Sequence, residues 1–208
     1  MSNLPTAIRR HLSALRILLL MTVICGVIYP LAVTGVAQAA FNDKADGSLV
    51  KQNGKVVGSS LLGQNFDLPK KDPDNADEAA RPDPKFFQPR PSAGSYDPLA
   101  SGASNLGPND PGLVKTIQQR RHDVAAFDGV DPAKVPPDAL TASGSGLDPD
   151  ISTAYAYEQV NRVAKARGVS ADAVHQLVAR HVDGRSIGFL GEAHVNVLEL
   201  NKDLAKLS

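Results

Sequence analysis

The most strongly patterned part of the chain is an apolar run near its start. From Ile17 to Asn42 there is no charged residue, and residues 17–33 are apolar on every face. A helix on the surface of a soluble domain would show a polar stripe, and this run has none. A helix rises ~1.5 Å per residue and needs about 20 residues to cross ~30 Å of hydrocarbon. The pattern predicts a transmembrane helix over residues 17–40, an N-terminal arm over 1–16 and a soluble domain over 41–208. Pro30 would break this helix in water, but in a bilayer a kink is tolerated where neighbouring groups satisfy the freed carbonyl. The small residues Thr22, Gly26, Thr34 and Gly35 allow close approach of a second helix.

Beyond the helix the pattern changes repeatedly. Asp46-Gly47 and Asn53-Gly54 are turn dipeptides, and the short apolar pairs in residues 55–63 suit short strands. Residues 67–98 carry Pro69, Pro73, Pro82, Pro84, Pro89, Pro91 and Pro98, which suit neither a helix nor a central strand. Phe86 and Phe87, inside this stretch, are expected to pin it to the domain's own core. A turn cluster over 101–112 leads to a helix over 113–127, capped by Asn109 or Asp110. Its inner face is Leu113, Ile117, Val124 and Phe127, with Arg120, Arg121 and Asp123 off it. Helical spacing returns over 152–167, capped by Asp150 or Ser152 and stopped by Gly168, and again over 171–182, capped by Ser170 and stopped by Gly184. A strand pair is expected at 187–190 and 195–198, then a short final helix. Short strands with segregated helices argue for an α+β fold: one N-terminal transmembrane helix followed by a single extracytoplasmic α+β domain.

Charge decides the orientation. Arg9, Arg10 and Arg16 precede the helix with no acid among them, while Lys44, Lys51 and Lys55 follow it mixed with Asp43 and Asp46. The positive-inside rule then places the N-terminus in the cytoplasm and the domain outside. The same arginines, with Ala37-Gln38-Ala39, also fit a cleaved signal peptide, which would release an independent exported binding or hydrolytic domain. The apolar run is longer than the ~7–15 residues such a signal uses. Overall, 22 Lys plus Arg balance 22 Asp plus Glu, so the chain has no electrostatic footprint for nucleic acid. Trp is absent, so the core must come from Val, Leu, Ile and Ala. Cys25 is the sole cysteine and lies in the apolar run, so no intrachain disulfide can form.

Candidate chemistry is sparse. Ser143-Gly144-Ser145-Gly146 precedes a helix but lacks the lysine of a phosphate-binding loop. Backbone N–H groups at a helix start can still hold an anion; the plainer alternative is a flexible turn and a cap. No G-x-S-x-G motif marks a nucleophilic serine. His11, His122, His175, His181 and His194 have no cysteine or paired carboxylate to complete a metal site. An anchor, an external domain and no self-contained catalytic site favour an accessory or assembly role over an enzyme.

Several strings point further. Gly58-Ser59-Ser60-Leu61-Leu62-Gly63-Gln64-Asn65-Phe66, Phe86-Phe87-Gln88-Pro89-Arg90-Pro91-Ser92-Ala93 and Ser101-Gly102-Ala103-Ser104-Asn105-Leu106-Gly107-Pro108 occur in that order. The stretch from Asp138 to Pro149, then Arg162–Arg167 and Val195–Asn201, follow them. Together with Tyr29-Pro30 they resemble the C subunit of bacterial Kdp-type potassium-transporting ATPases over almost the whole chain. The departures are Ala103 in place of glycine, His194 where arginine is common, and a longer stretch from Leu68 to Pro84.

The resemblance implies an uncleaved, single-span, non-catalytic subunit of the bacterial inner membrane. Its partners would be a channel-like potassium-binding subunit and a P-type ATPase subunit, and Gly26 and Gly35 would be packing sites against the former. It would stabilise a high-affinity, ATP-driven potassium import complex as a catalytic chaperone and raise the pump's affinity for ATP. The cofactor implied is ATP, bound directly or through the ATPase subunit. The residues it links to nucleotide are Gln159 and the Ser143, Gly144, Ser145 and Gly146 string. ATP is cytoplasmic, however, and the arginines place Gln159 outside. A structural role for Gln159 and the Ser143–Asp148 loop is the reading that agrees with both.

Overall fold

The computed structural model describes residues 5–72, 74, 75 and 78–207; Pro73 lies outside them. The chain divides into two compact units, Met1–Leu49 and Val50–Ser208.

The first unit is dominated by one helix from Thr6 to Ala40, long and apolar enough to cross a membrane. Helix α1 (Thr6–Val23) passes through a π-helical turn (Ile24–Ile28) into α2 (Tyr29–Ala40). Pro30 accounts for the wide turn. It has no N–H to give, and its ring would collide with the Gly26 carbonyl in a regular helix. The π turn widens the spiral just before it, and the Tyr29 N–H bonds back to the Ile24 carbonyl. The kink expected at Pro30 is thus accommodated inside the helix. The described part of the N-terminal arm is helical too, because α1 starts at Thr6 rather than at Ile17. A short helix α3 (Asn42–Ala45) and a turn at Gly47, whose φ is +89°, close the unit.

The second unit opens with a hairpin. Strands β1 (Leu49–Gln52) and β2 (Lys55–Ser59) are joined by Asn53-Gly54 with φ of +51° and +78°, the left-handed pair that a two-residue hairpin turn requires. The proline-rich stretch that follows is irregular, as expected. Helix α4 (Pro111–Asp128) is capped by Asp110, whose Oδ1 accepts from the Leu113 N–H, and ends at left-handed Gly129. Two 3-10 turns (Pro132–Lys134, Pro137–Ala139) lead to β3 (Asp150–Ser152). Helices α5 (Thr153–Glu158), α6 (Val160–Arg167) and α7 (Ala171–Arg180) precede β4 (Val182–Asp183), β5 (His194–Asn196) and α8 (Val197–Leu204). The fold of this unit is α+β.

Strand β5 is central in an antiparallel sheet, with Ile151 opposite Val195 on one side and Val182 opposite it on the other. The core is built on this row from Ile151, Val195, Val163, Val174, Val178, Leu200 and Leu204, with Phe87 from the proline-rich stretch fully inside. Phe87 therefore does pin that stretch to the domain's own core. Aliphatic side chains carry the packing, as a chain without Trp demands.

Three expectations need correction. The helix over 152–167 is interrupted at Gln159, where ψ relaxes to −14° and the N–H bond to Tyr155 stretches to 3.4 Å. The helix over 171–182 ends at Arg180, because Val182 is taken up as the strand partner of Val195. With that partner fixed, residues 187–190 form no strand of the sheet; they are an exposed turn between β4 and β5, closed by the Ser186–Leu190 bridge and carrying positive-φ Ile187 and Gly188. Of the expected partner strand over 195–198 only Val195 and Asn196 are in β5, and Val197 already starts α8.

Candidate functional site

The residues singled out by sequence meet on one extended segment, Phe87–Ser92. Pro89 and Pro91 keep it out of a helix and deny it a strand neighbour. Its buried backbone must still be hydrogen-bonded, because an orphaned buried amide costs ~1–3 kcal/mol. Side chains do this instead of a neighbouring strand. The Asn201 amide accepts from the Phe87 N–H and donates to the Phe87 carbonyl, both at 2.9 Å. The Gln159 amide repeats the arrangement one residue on, accepting from the Gln88 N–H at 2.6 Å and donating to the Gln88 carbonyl at 3.1 Å. Two primary amides thus imitate two rungs of a β-ladder.

Arg162 holds the approach to this segment. Its Nη1 donates to the carbonyls of Pro84 and Phe86 at 2.8 and 2.9 Å, and its Nη2 to Gln159 Oε1 at 2.6 Å. Its Nε donates to Asp128 Oδ1 at 2.5 Å, and the guanidinium lies over the Phe127 ring. The Asp128 side chain is 1% exposed and Gln159 is 0% exposed. Burial pushes the Asp128 carboxyl up, against the pull of Arg162. Glu158 lies beside this pair. Burial first, and then Asp128 and Asp138, push its carboxyl up to about 7.

At the other end of the segment sits the Ser143–Gly146 string. The Ser143 N–H bonds to the Pro91 carbonyl at 3.2 Å, and Ser143 Oγ accepts from the Gly146 N–H at 2.8 Å. Ser92 Oγ donates to the Gly146 carbonyl at 2.7 Å. The Ser145 carbonyl accepts from the Gly102 N–H at 2.8 Å and from Ser101 Oγ at 3.0 Å. Ser143 and Gly146 are buried, while Gly144 and Ser145 face solvent. Gly146 needs to be glycine twice over: its φ is +69°, and a Cβ there would lie 2.7 Å from the Gly102 carbonyl oxygen.

The string is therefore not at a helix start. Strand β3 lies between it and α5, and the α5 cap is Ser152, whose Oγ accepts from the Tyr155 N–H. The sequence reading of a helix-start anion site or helix cap for these glycines is corrected accordingly. Gln159 and Ser143–Gly146 hold opposite ends of Phe87–Ser92 and do not face a common cavity. A cavity of about 430 Å³ does open beside the segment, lined by Gln88, Arg90, Arg120, Phe127 and Tyr155 among others; none of the five residues linked to nucleotide lines it. Among the described residues no group of three His, Cys, Asp or Glu is placed to hold a metal.

Sequence reasoning missed Asn201, Arg162 and Asp128. Asn201 had a signal: it lies among Val197, Leu200 and Leu204 on the apolar stripe of α8, where only a satisfied amide is tolerated. Arg162 enters the sequence reading only as the first residue of the Arg162–Arg167 string, and is a buried hub. Arg120, placed off the inner face, is half-buried and donates to the Leu140 carbonyl at 3.0 Å.

Fold and site together define an α+β domain, organised around a clamped proline-rich segment, on a chain with one helix able to span a bilayer. Residues 11–206 match the family described as K+-transporting ATPase, c chain. The chain is similar to the potassium-transporting ATPase KdpC subunit of Streptomyces coelicolor, 46% identical over 99% of this chain and 96% of the relative. The subunit of the same name from Kineococcus radiotolerans is 50% identical over 95% of this chain and 94% of its own length. That from Sorangium cellulosum is 50% identical over 90% and 93%. The chain belongs to the family of K+-transporting ATPase c chains.

Proposed function

We propose that the chain is a non-catalytic accessory subunit of an ATP-driven potassium import complex, stabilising its assembly and raising the affinity of the P-type ATPase subunit for ATP. The match of residues 11–206 to the c-chain family carries this reading. The partners are the channel-like potassium-binding subunit and the ATPase subunit, in the bacterial inner membrane. The N-terminus is cytoplasmic and the α+β domain extracytoplasmic.

In this reading ATP acts through the ATPase subunit. Gln159 and the Ser143–Gly146 string shape the domain surface by holding Phe87–Ser92, and Gly144 and Ser145 are the exposed part of that surface. Full burial of Gln159, with its amide bonded to Gln88 and Arg162, supports a structural role. The test is purification of the tagged full chain from cells grown at low potassium. Two larger membrane proteins should accompany it, its N-terminus should be uncleaved, and the KM for ATP should rise several-fold when the chain is absent. A cleaved product, or an ATPase with unchanged KM and yield in its absence, would sink the reading.

A further inference from the structure

The helix is longer than a bilayer requires, and the excess has its own chemistry. It runs for 35 residues from Thr6 to Ala40, about 52 Å at ~1.5 Å per residue. The hydrocarbon needs ~30 Å, and the whole bilayer with headgroups ~40–45 Å. Tilted ~20–40° from the normal, such a helix covers about 40–49 Å of depth. Centred on the hydrocarbon, it leaves about 5–10 Å at each end, so its first one to two turns, which carry Arg9 and Arg10, lie in the headgroup layer.

The helix is amphipathic at its start, unlike the span that follows. Ile8, Leu12, Leu15 and Leu19 recur at i, i+4, i+7 and i+11 and form one exposed apolar stripe. Arg9 and Arg16, seven residues apart, flank it on one side and His11 on the other, while Arg10 lies opposite. No acidic residue occurs before Asp43. Arg9, beside the stripe, and Arg10, on the far side, share the outermost turns, where acyl chains meet phosphates and long stems can stay near hydrocarbon while their heads reach outward.

We propose that Arg9 and Arg10, in the outermost turns of the helix that starts at Thr6, bind the phosphates of anionic lipid headgroups in the leaflet on the N-terminal side. The proposal rests on the helix spanning the membrane, but not on which side its N-terminus lies. Each arginine near an anionic surface contributes roughly a fivefold preference, so the pair contributes about twenty-five-fold.

The test uses the full chain in nanodiscs of phosphatidylcholine with 30% phosphatidylglycerol, extracted gently and weighed with its retained lipids by native mass spectrometry. The wild-type chain should retain phosphatidylglycerol over phosphatidylcholine by tenfold or more. The double variant Arg9→Gln/Arg10→Gln should lose that preference, and Arg9→Lys/Arg10→Lys should keep most of it. Excess inorganic phosphate should displace little of the lipid; full displacement would mean a free-phosphate site and overturn the proposal. Retention of the preference by the glutamine variant would overturn it. A chain that stays soluble without lipid would instead refute the membrane span, a result distinguishable from an integrated chain with no lipid preference.

Discussion

At the residue scale the domain depends on a few polar groups with several partners each. Gln159→Ala leaves the Gln88 N–H and carbonyl unpaired and removes one acceptor of Arg162. It should cost about 2–4 kcal/mol in denaturant unfolding of the full chain in detergent. Asn201→Ala should cost a similar amount, and the double variant less than the sum, because both amides hold adjacent residues. Asp128→Asn should cost about 3–5 kcal/mol, since it strips the buried Arg162 of its carboxylate. Glu158 behaves in the opposite sense. Its neutral form is favoured in the folded chain, so its contribution is complete below the ordinary carboxylate range, about 4.5, and is lost as pH rises through about 7. Glu158→Gln should therefore raise the unfolding midpoint at pH 8 and leave it unchanged at pH 4. The gain should be about 1 kcal/mol, well below the full shift, because the side chain is partly solvated. Little of this network was legible in the sequence. Helical spacing assigns Arg162 a face, but only the crossing of α4 and α6 shows that Asp128 waits there.

At the element scale, local chemistry and legibility coincide. The caps at Asp110, Ser152 and Ser170 and the stops at Gly129 and Gly168 each depend on a few neighbouring residues, and all but Gly129 could be anticipated from them. The Asn53-Gly54 hairpin is of the same kind. What failed depended on distant partners: β4 is where it is because Val182 meets Val195, and no pattern within residues 182–190 announces that register. The Ser143–Gly146 string lies between these cases. Its glycines announced a turn, but the neighbours that set its shape, Pro91, Ser92, Ser101 and Gly102, come from remote loops. Gly146→Ala combines an unfavourable φ with a collision against the Gly102 carbonyl. It should lower the thermal midpoint of the full chain by several degrees, whereas Gly144→Ala, with open space around it, should change it little.

At the scale of the whole molecule, the apolar helix and the α+β class were both readable, because each rests on composition and period over many residues. Which side of the membrane carries the domain rests on three arginines against three lysines. It should be settled by protease added to intact spheroplasts and to inverted vesicles. Cleavage within residues 50–207 should occur only in the spheroplasts. Cleavage only in inverted vesicles would reverse the orientation and reopen direct nucleotide contact at Gly144 and Ser145.

The clamping of Phe87 and Gln88 has a further consequence in time. Their partners lie 71 and 114 residues further along the chain. During synthesis the proline-rich segment emerges long before Gln159 and Asn201 exist, and closing such distant contacts is slow. Until then it waits as an unpaired extended strip, with the bulky Phe87 exposed. A nascent chain arrested before α6 should accordingly be bound by chaperones on the side where the domain emerges, and one extended through α8 should be released.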